Sequence, residues 1–429
     1  MRFDEAFLRN KRQAKKDKEP TPPLLSDTQE IPRALLNPTD KINLCVAEAV
    51  DFWNNHILTT NVPAHLPFQR KKHEAKFQVG VPGVLQHLFL VSTWTIWITK
   101  SGSDPLRNRT LCQSRGLAFR GLNRMLSTAV TDVSGYALAC TIMALMADFG
   151  LSQAQAWEFH LDAVRKIVQC RGGFQACMAE LPDMRQLFLT FLVLDVLTAA
   201  FRETSRLGAE TVATQAEYVA LLPNIEQQLV LNGDPGPQVL LQAIVQVTAL
   251  RIEIRRSSTE RRCKVSTLSR AGELYHQIRR FDPQAWAVQV VIYGRTRPEH
   301  LGEQPSEQSL AAWSTLALCY QSAALLYLLL SVPTGHQQAV TAMMIAQAES
   351  ALASEINAIF ALADPDPDAA VGTQLWKFTN WPLLISLRTR QAAVCNTGDV
   401  RECLARLEEI AVATGIRSWL AIGIDMILR

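Results

Sequence analysis

The stretch that decides the fold class is residues 152–173, which read SQAQAWEFHLDAVRKIVQCRGG. Ser152 and Gln155 have the spacing of a capping box, in which side chains satisfy free backbone N–H groups at the start of a helix. Arg171-Gly172-Gly173 ends the helix, because glycine adopts the left-handed conformation there without steric cost. Between these ends, apolar residues recur three and four positions apart and share one helix face: Trp157, Leu161, Val164, Ile167 and Val168.

The same helical periodicity continues on both sides of this stretch, from residue 39 onward. Breaks rich in Gly, Pro, Ser and Asp separate the periodic segments, and no runs of β-branched residues alternate with turns at strand spacing. The sequence therefore predicts an all-α fold, a multi-helical bundle or array over residues 38–429. Further helices are predicted near residues 42–57, 81–98, 111–126, 133–149, 184–201, 239–254, 266–280, 310–331, 339–361, 374–394, 399–414 and 417–428.

Residues 1–37 differ from the rest of the chain because basic residues crowd one short stretch and prolines follow it. Proline prevents a long helix, so the segment is predicted to be a disordered basic tail leading into a semi-rigid linker. The basic run is interpreted either as a solvated charge cluster or as a nuclear-import signal or weak phosphate-binding arm. Its residues are Lys11, Arg12, Lys15, Lys16 and Lys18.

Composition indicates a folded globular protein, with 48% apolar residues, 19% charged residues and a formal charge of +3. No apolar run follows Met1, so no secretory signal peptide is expected. The apolar stretch over residues 81–98 contains too many polar and helix-breaking residues for a membrane span, and it is interpreted as a buried core helix. We expect no membrane association.

The nine cysteines are odd in number and form no Cys-x-x-Cys pair. This pattern predicts a reducing compartment, the nucleus or cytosol, without disulfides or a structural zinc site. Cys170 and Cys177 flank the Arg-Gly-Gly turn, and buried packing is favoured over a redox pair. The nine tryptophans are interpreted as core residues or as the lining of an inter-helix pocket that could hold an inducer.

The standard catalytic and nucleotide-binding motifs are absent from the sequence, so no enzyme, cofactor or metal site is predicted. Asp195 stands among apolar residues of a predicted helix, where a carboxylate is costly unless it is paired. It could act as an acid or base, but the favoured interpretation is a structural anchor for an arginine such as Arg165 or Arg202.

Two further groups receive structural interpretations. His160 lies one turn from Trp157, on or beside the buried helix face, and is expected to be a neutral core histidine. A second basic cluster is interpreted as a solvated face with internal ion pairs to Glu253 and Glu260. Its members are Arg251, Arg255, Arg256, Arg261, Arg262 and Lys264.

Two blocks of sequence resemble the helical regulatory region of fungal zinc-cluster transcription factors. The first is residues 156–173, with Trp157, His160 and the Arg171-Gly172-Gly173 ending, followed downstream by the apolar helix that carries Asp195. The second is residues 381–385, WPLLI, followed by residues 401–409 and Gly415. Together they span roughly residues 40–429. The resemblance implies a nuclear regulator of transcription, in many relatives a pathway-specific regulator such as that of a secondary-metabolite gene cluster.

The chain departs from this family in its cysteines. A zinc cluster needs six thiolates paired as Cys-x-x-Cys to place a helix in the major groove, whereas the first cysteine here is Cys45. The resemblance then implies action through proteins of the transcription machinery or a DNA-binding partner, or a gene model that lacks its first exon and a chain that contacts DNA directly. A small-molecule inducer and a homodimer are also implied. The alternative is a cytosolic helical scaffold or ligand-binding protein derived from the family.

Overall fold

All regular structure in the described part of the chain is helical. The computed structural model describes residues 47–52, 83–101, 107–128, 135–151, 156–232, 236–258, 265–294, 307–332, 338–362, 375–392, 397–414, 416 and 418–428, and none of them lies in a strand. These residues belong to one unit, residues 46–429. The prediction of an all-α fold is confirmed, whereas the predictions for the tail at residues 1–37 and for its boundary lie outside the described residues.

The helices of the described segments are numbered here in chain order. They are α1 (Gly83–Lys100), α2 (Arg109–Thr128), α3 (Gly135–Leu151), α4 (Ala156–Cys170), α5 (Phe174–Glu180), α6 (Arg185–Ala199), α7 (Ala209–Leu221), α8 (Glu226–Asn232), α9 (Gln238–Ser258), α10 (Val265–Arg280), α11 (Pro283–Gly294), α12 (Glu307–Ser331), α13 (Gln338–Ala361), α14 (Asn380–Ala392), α15 (Thr397–Thr414) and α16 (Ser418–Leu428). Short 3₁₀ helices precede α6 and α14, at Pro182–Met184 and Leu375–Phe378.

Four of the described helices were not predicted from the helical periodicity of the sequence, namely α5, α7, α8 and α11. Helices α5 and α8 have only seven residues each, too few to show a helical period. Helix α11 does carry a readable start signal, because Asp282 precedes Pro283. The Asp282 carboxylate accepts the N–H groups of Gln284 at 2.9 Å and Ala285 at 3.1 Å, and proline is favoured at the first helical position.

Helix α12 lies at the centre of the helical body and packs against α9, α10, α11, α13 and α14. Its aromatic residues contact those of its neighbours. Trp313 packs edge-on against Trp286 of α11 at 5.9 Å, and Tyr320 stacks on Trp381 of α14, also at 5.9 Å. Because α12 contacts five other helices, most of its surface needs no polar face, and most of its residues are apolar.

The same helix is long and apolar enough to cross a membrane by length and composition. Residues 309–331 have a mean hydropathy of 1.4, and 56% of the window is buried inside the fold. A core helix of a globular protein passes the same test, and the packing of α12 against five other helices accounts for its apolar character.

Helices from the two ends of the described chain meet. Helices α1, α2 and α3 pack together, α3 also contacts α4, and the C-terminal helices α15 and α16 contact α1 and α3. Phe149 of α3 links these groups, because its ring meets Trp157 of α4 at 5.5 Å and Trp419 of α16 at 5.2 Å, both edge-on. Trp157 is 6% exposed, so its predicted position on the buried face of α4 is correct.

Candidate functional site

The buried carboxylate of Asp195 lies where α4, α6 and α7 meet. Asp195, on α6, is fully buried, and Arg165, on α4, is 1% exposed. Arg165 donates through Nε to Oδ2 at 3.2 Å and through Nη2 to Oδ1. The hydroxyl of Tyr218, on α7, donates to Oδ2 at 3.0 Å. The carboxylate therefore has a bidentate cation and a neutral donor, the arrangement that makes a buried charge tolerable.

The pKa shifts around Asp195 reflect this pairing. Burial would lower the pKa of Arg165, but the adjacent Asp195 carboxylate outweighs that effect and the net shift of this pKa is upward. Burial, together with the same carboxylate, raises the pKa of Tyr218 well above its usual value. Arg165 therefore remains a cation and Tyr218 a neutral donor, so the cluster holds three helices together.

A second carboxylate extends the network toward the surface. Asp162 accepts from Arg165 Nη1 at 3.0 Å and from Arg202 Nη1 at 3.0 Å and Nη2 at 2.9 Å. Arg165 Nη1 also donates to Thr211 at 3.1 Å, and Arg202 Nε lies 3.5 Å from Glu158. Of the two arginines considered as partners of Asp195, Arg165 makes the contact, whereas Arg202 binds the carboxylates of α4.

The Arg171-Gly172-Gly173 turn ends α4 with the hydrogen bonds of a Schellman motif. The N–H of Gly173 donates to the Val168 carbonyl at 2.9 Å, and that of Gly172 donates to the Gln169 carbonyl at 3.1 Å. Both glycines have positive φ, +86° and +104°. Arg171 reaches forward to Glu180 at the end of α5, with Nη2 2.5 Å from the carboxylate. The predicted helix stop is confirmed at this turn.

Glu217 of α7 closes the same turn from the other side. Its Oε2 atom accepts the N–H of Phe174, the first residue of α5, at 2.6 Å. A Cβ atom at Gly173 would lie 2.8 Å from Glu217 Oε1, closer than such contacts occur. A side chain at the second glycine would therefore have to displace the Glu217 carboxylate that caps α5, and it would also strain the backbone conformation.

His160 is not the core histidine that the sequence predicted. Its side chain is 21% exposed, and Nε2 lies 3.1 Å from Oδ2 of Asp148, at the end of α3. The other oxygen of Asp148 accepts from Arg115 of α2 at 2.9 and 3.1 Å, and the ring of Phe119 stacks on His160 at 5.2 Å. The partner was missed because Asp148 belongs to another helix, which helical spacing cannot reveal.

Two arginines from distant parts of the sequence meet at the C-terminal end of α6. Arg251 of α9 donates through Nη1 to the Ala200 carbonyl at 2.6 Å, and through Nη2 to the carbonyls of Ala199 and Arg202, each at 2.9 Å. Arg388 of α14 donates through Nη1 to the same Ala200 oxygen at 2.8 Å. Two guanidinium groups thus share one carbonyl oxygen, directly beyond the Asp195 cluster.

This arrangement corrects the prediction of a solvated face for the basic cluster of α9. Arg251 is 7% exposed, while Arg255 and Arg256 are exposed as predicted. Glu253 pairs with Arg270 of α10 at 3.5 Å, not within its own helix. The remaining members of that cluster, residues 260–264, lie outside the described residues.

A cleft of about 880 Å³ opens between the ends of α8, α9, α10 and α11. Its lining combines the carboxylates of Glu226 and Glu273, the amide of Gln238, the guanidinium of Arg280 and the edge of Trp286. Burial raises the pKa of Glu226, and neighbouring donors offset this shift only in part. The volume lies in the range of small-molecule sites.

The prediction that the tryptophans are core or pocket-lining residues was wrong for Trp97, whose side chain is 47% exposed.

A family model described as the fungal specific transcription factor domain matches residues 90–407, well over half of the chain. The chain belongs to the fungal specific transcription factor domain family. The resemblance found from the two sequence blocks is thereby confirmed. No curated protein matches the chain, and no solved structure does. The fungal transcription factor domain therefore contains the Asp195 cluster, the Arg-Gly-Gly turn and the Arg251–Arg388 junction. The family is a class of transcription factors and not an enzyme class.

Among the described residues of this fungal transcription factor domain, no group of three or more His, Cys, Asp or Glu side chains could hold a metal ion. Cys177 is buried as predicted, whereas Cys170 is exposed, so the packing interpretation was wrong for one member of that pair. Lys11, Arg12, Lys15, Lys16 and Lys18 lie outside the described residues, as does the capping box at Ser152.

Proposed function

We propose that this member of the fungal transcription factor family regulates a limited, pathway-specific set of genes from the nucleus. The observation that carries the proposal is the family match over residues 90–407, which contains nearly all of the described helical body. In that body, buried polar networks support a rigid framework of helices, which suits the binding of other molecules. The helical body would bind proteins of the transcription machinery and a small-molecule inducer.

DNA recognition is the part of the proposal that depends on another molecule or segment. The sequence has no Cys-x-x-Cys pair, so these residues do not form a zinc cluster of the usual kind. We propose that a DNA-binding partner supplies sequence recognition, or that a cluster encoded upstream of residue 1 does so. The basic residues 11–18 would serve nuclear import, which needs only a short exposed run of positive charge.

The test is deletion of the gene followed by measurement of all transcripts, with complementation by a fluorescently tagged chain. We expect a restricted set of transcripts to change and the tagged chain to enter the nucleus and restore them. A variant with Gln at Lys11, Arg12, Lys15, Lys16 and Lys18 should stay in the cytoplasm and fail to restore expression. The matched control replaces Arg120 and Arg279, which are exposed on the helical body, with Gln and should behave as wild type.

The alternative is a cytosolic scaffold or ligand-binding protein derived from the same family. The cleft of about 880 Å³ favours ligand binding without requiring transcription. Exclusion of the tagged chain from the nucleus, with every transcript unchanged after deletion, would favour this alternative and end the regulatory proposal. Altered transcripts together with nuclear entry would exclude it.

A further inference from the structure

In the described part of the chain, no carboxylate neutralises the two positive charges of the Arg251–Arg388 junction. Within the segments that the structure describes, neither guanidinium lies in an ion pair, and the hydrogen bonds of both go to backbone carbonyls at the end of α6. The C-terminus of a helix carries about half a negative charge, which is less than the charge of two arginines. Arg165, by contrast, is paired with the carboxylate of Asp195.

The two charges act on each other. The pKa of Arg388 is lowered by burial first and then by the positive charge of Arg251, while Tyr327 opposes this shift. Arg251 also lies over the ring of Tyr327 at 5.6 Å, a favourable cation–π contact that adds no negative charge. Two like charges near one oxygen atom are an unfavourable arrangement unless something else stabilises them.

Arg388 keeps a free edge for such a stabilising group. Among the described residues it donates through Nη1 alone, and its Nε and Nη2 atoms have no partner there and are not fully buried. The Nε–Nη2 edge of a guanidinium binds carboxylates and phosphates with two parallel hydrogen bonds. Arg251, largely buried beside it, adds a fixed positive field in surroundings of low dielectric constant.

We propose that the Arg251–Arg388 pair binds the carboxylate or phosphate group of a small-molecule ligand. The inference rests on the proposed function, in which the helical body binds an inducer, and it names the chemistry that the inducer presents. An anion at this position is held by Arg388 of α14 and Arg251 of α9, the two side chains that also donate to the carbonyls at the end of α6. It therefore connects α14, the helix that carries residues 381–385, to the helix that carries Asp195 and through Arg165 to the first block.

The test uses the full purified chain in thermal unfolding, with inorganic phosphate or succinate replacing chloride at constant ionic strength. We expect a saturable rise in Tm of about 1–3 °C with the anion that fits. Arg388→Gln should abolish the saturable rise, and Arg388→Lys, which keeps the charge but not the two-pronged edge, should reduce it. Arg390→Gln is the matched control, because Arg390 lies on the same helix and pairs with Glu349 at 3.4 Å; it should keep the full rise.

The outcomes separate specific binding from a general salt effect, which strengthens folding without saturation. A saturable rise with phosphate alone would support a phosphate group on the ligand, a rise with succinate alone would support a carboxylate, and a rise with both would support either group. No saturable rise with either anion, or an equal rise in wild type and Arg388→Gln, would overturn the proposal. Altered transcripts after gene deletion without anion binding would overturn the anion site and leave the proposed function standing. Anion binding with unchanged transcripts would support the anion site and overturn the proposed function.

Discussion

At the scale of single residues, the buried ionisable groups differ in whether they have a partner of opposite charge. Asp195 is matched by Arg165 and receives a further hydrogen bond from Tyr218. Glu355 of α13 has no cationic partner among the residues that the structure describes. One of its oxygens accepts from Ser322 of α12 at 3.2 Å, and the other is buried without a hydrogen-bond partner. Removal of Arg165 should therefore lower the free energy of unfolding, whereas neutralising Glu355 should raise it.

Replacing Arg165 with Met should destabilise the fold by about 3–5 kcal/mol, because it leaves the Asp195 carboxylate buried without a cation. Thermal or denaturant unfolding of the purified chain measures the change. Arg206→Met is the control, since Arg206 is 43% exposed and lies 3.4 Å from Glu158, and it should change stability by about 0–1 kcal/mol. The double variant Arg165→Met/Asp195→Leu should recover part of the loss. A double variant less stable than the single one would contradict the argument.

Glu355 predicts a pH dependence of stability. Burial raises the pKa of Glu355 from its ordinary value of 4.5 to about 7, opposed in part by the Ser322 hydrogen bond. Between these values the unfolded chain has released the proton and the folded chain has kept it, so stability falls as pH rises. Cys319 of α12 interacts with Glu355 across this interface, and its pKa is raised well above its ordinary value by burial first and then by the Glu355 carboxylate.

Glu355→Gln should therefore be more stable than wild type at pH 8, by about 1–2 kcal/mol after allowance for partial solvent exposure. The advantage should shrink as pH falls and be absent near pH 4.5. Unfolding midpoints measured from pH 4.5 to 8 give the comparison, with Glu349→Gln on the same helix as the control. Parallel pH profiles for wild type and Glu355→Gln would show that Glu355 does not titrate in this range.

At the scale of elements, the Arg-Gly-Gly turn was the most predictable part of the chain, because a helix stop depends on local backbone geometry. The sequence did not reveal that the two glycines have different roles. A Cβ atom at Gly172 would meet only Ala176, at 3.7 Å, whereas one at Gly173 would meet the Glu217 carboxylate at 2.8 Å. Gly173 also has φ 104° and ψ 175°, a region open essentially to glycine alone.

Gly173→Ala should accordingly destabilise the fold by about 2–4 kcal/mol, because it adds backbone strain and displaces the Glu217 cap of α5. Gly172→Ala should be milder, about 1 kcal/mol, since it carries only the strain of positive φ. Gly208→Ala is a matched control, because Gly208 has negative φ and nothing within 4 Å of an added Cβ. Equal losses of free energy of unfolding for Gly172→Ala and Gly173→Ala would contradict the assigned role of Glu217.

Helix existence was predictable where a segment was long and periodic. The predicted helix at residues 310–331 corresponds to α12, Glu307–Ser331, and that at 399–414 corresponds to α15, Thr397–Thr414. The seven-residue helices α5 and α8 were missed, because two turns are too short for a period to appear. The contacts that charged side chains make with other helices were less predictable than the positions of the helices. Arg251 belongs to a charged stretch of sequence, yet its helix face is turned to the end of α6, where it is buried.

At the scale of the whole molecule, the fold brings together the two sequence blocks that carry the family resemblance. Arg165 in the first block and Arg388, on the helix that carries residues 381–385 of the second block, both bind α6 or the residue just after it, although they lie far apart in sequence. Phe149 makes a second connection, between Trp157 and the C-terminal Trp419. The transcript measurement after gene deletion tests the molecule at this scale, because it depends on the assembled body and not on one side chain.

The sequence alone determined the helical fold class, the main helix positions and the family, because periodicity, capping and glycine stops act within a few neighbouring residues. Only the tertiary structure decided which charges meet. It placed Arg165 on Asp195, Asp148 beside His160, and Arg251 with Arg388 on one carbonyl of α6. The physical reason is that a buried charge is stabilised by whatever group the packing of separate helices brings within about 3 Å of it, and helical spacing along the chain carries no record of that distance.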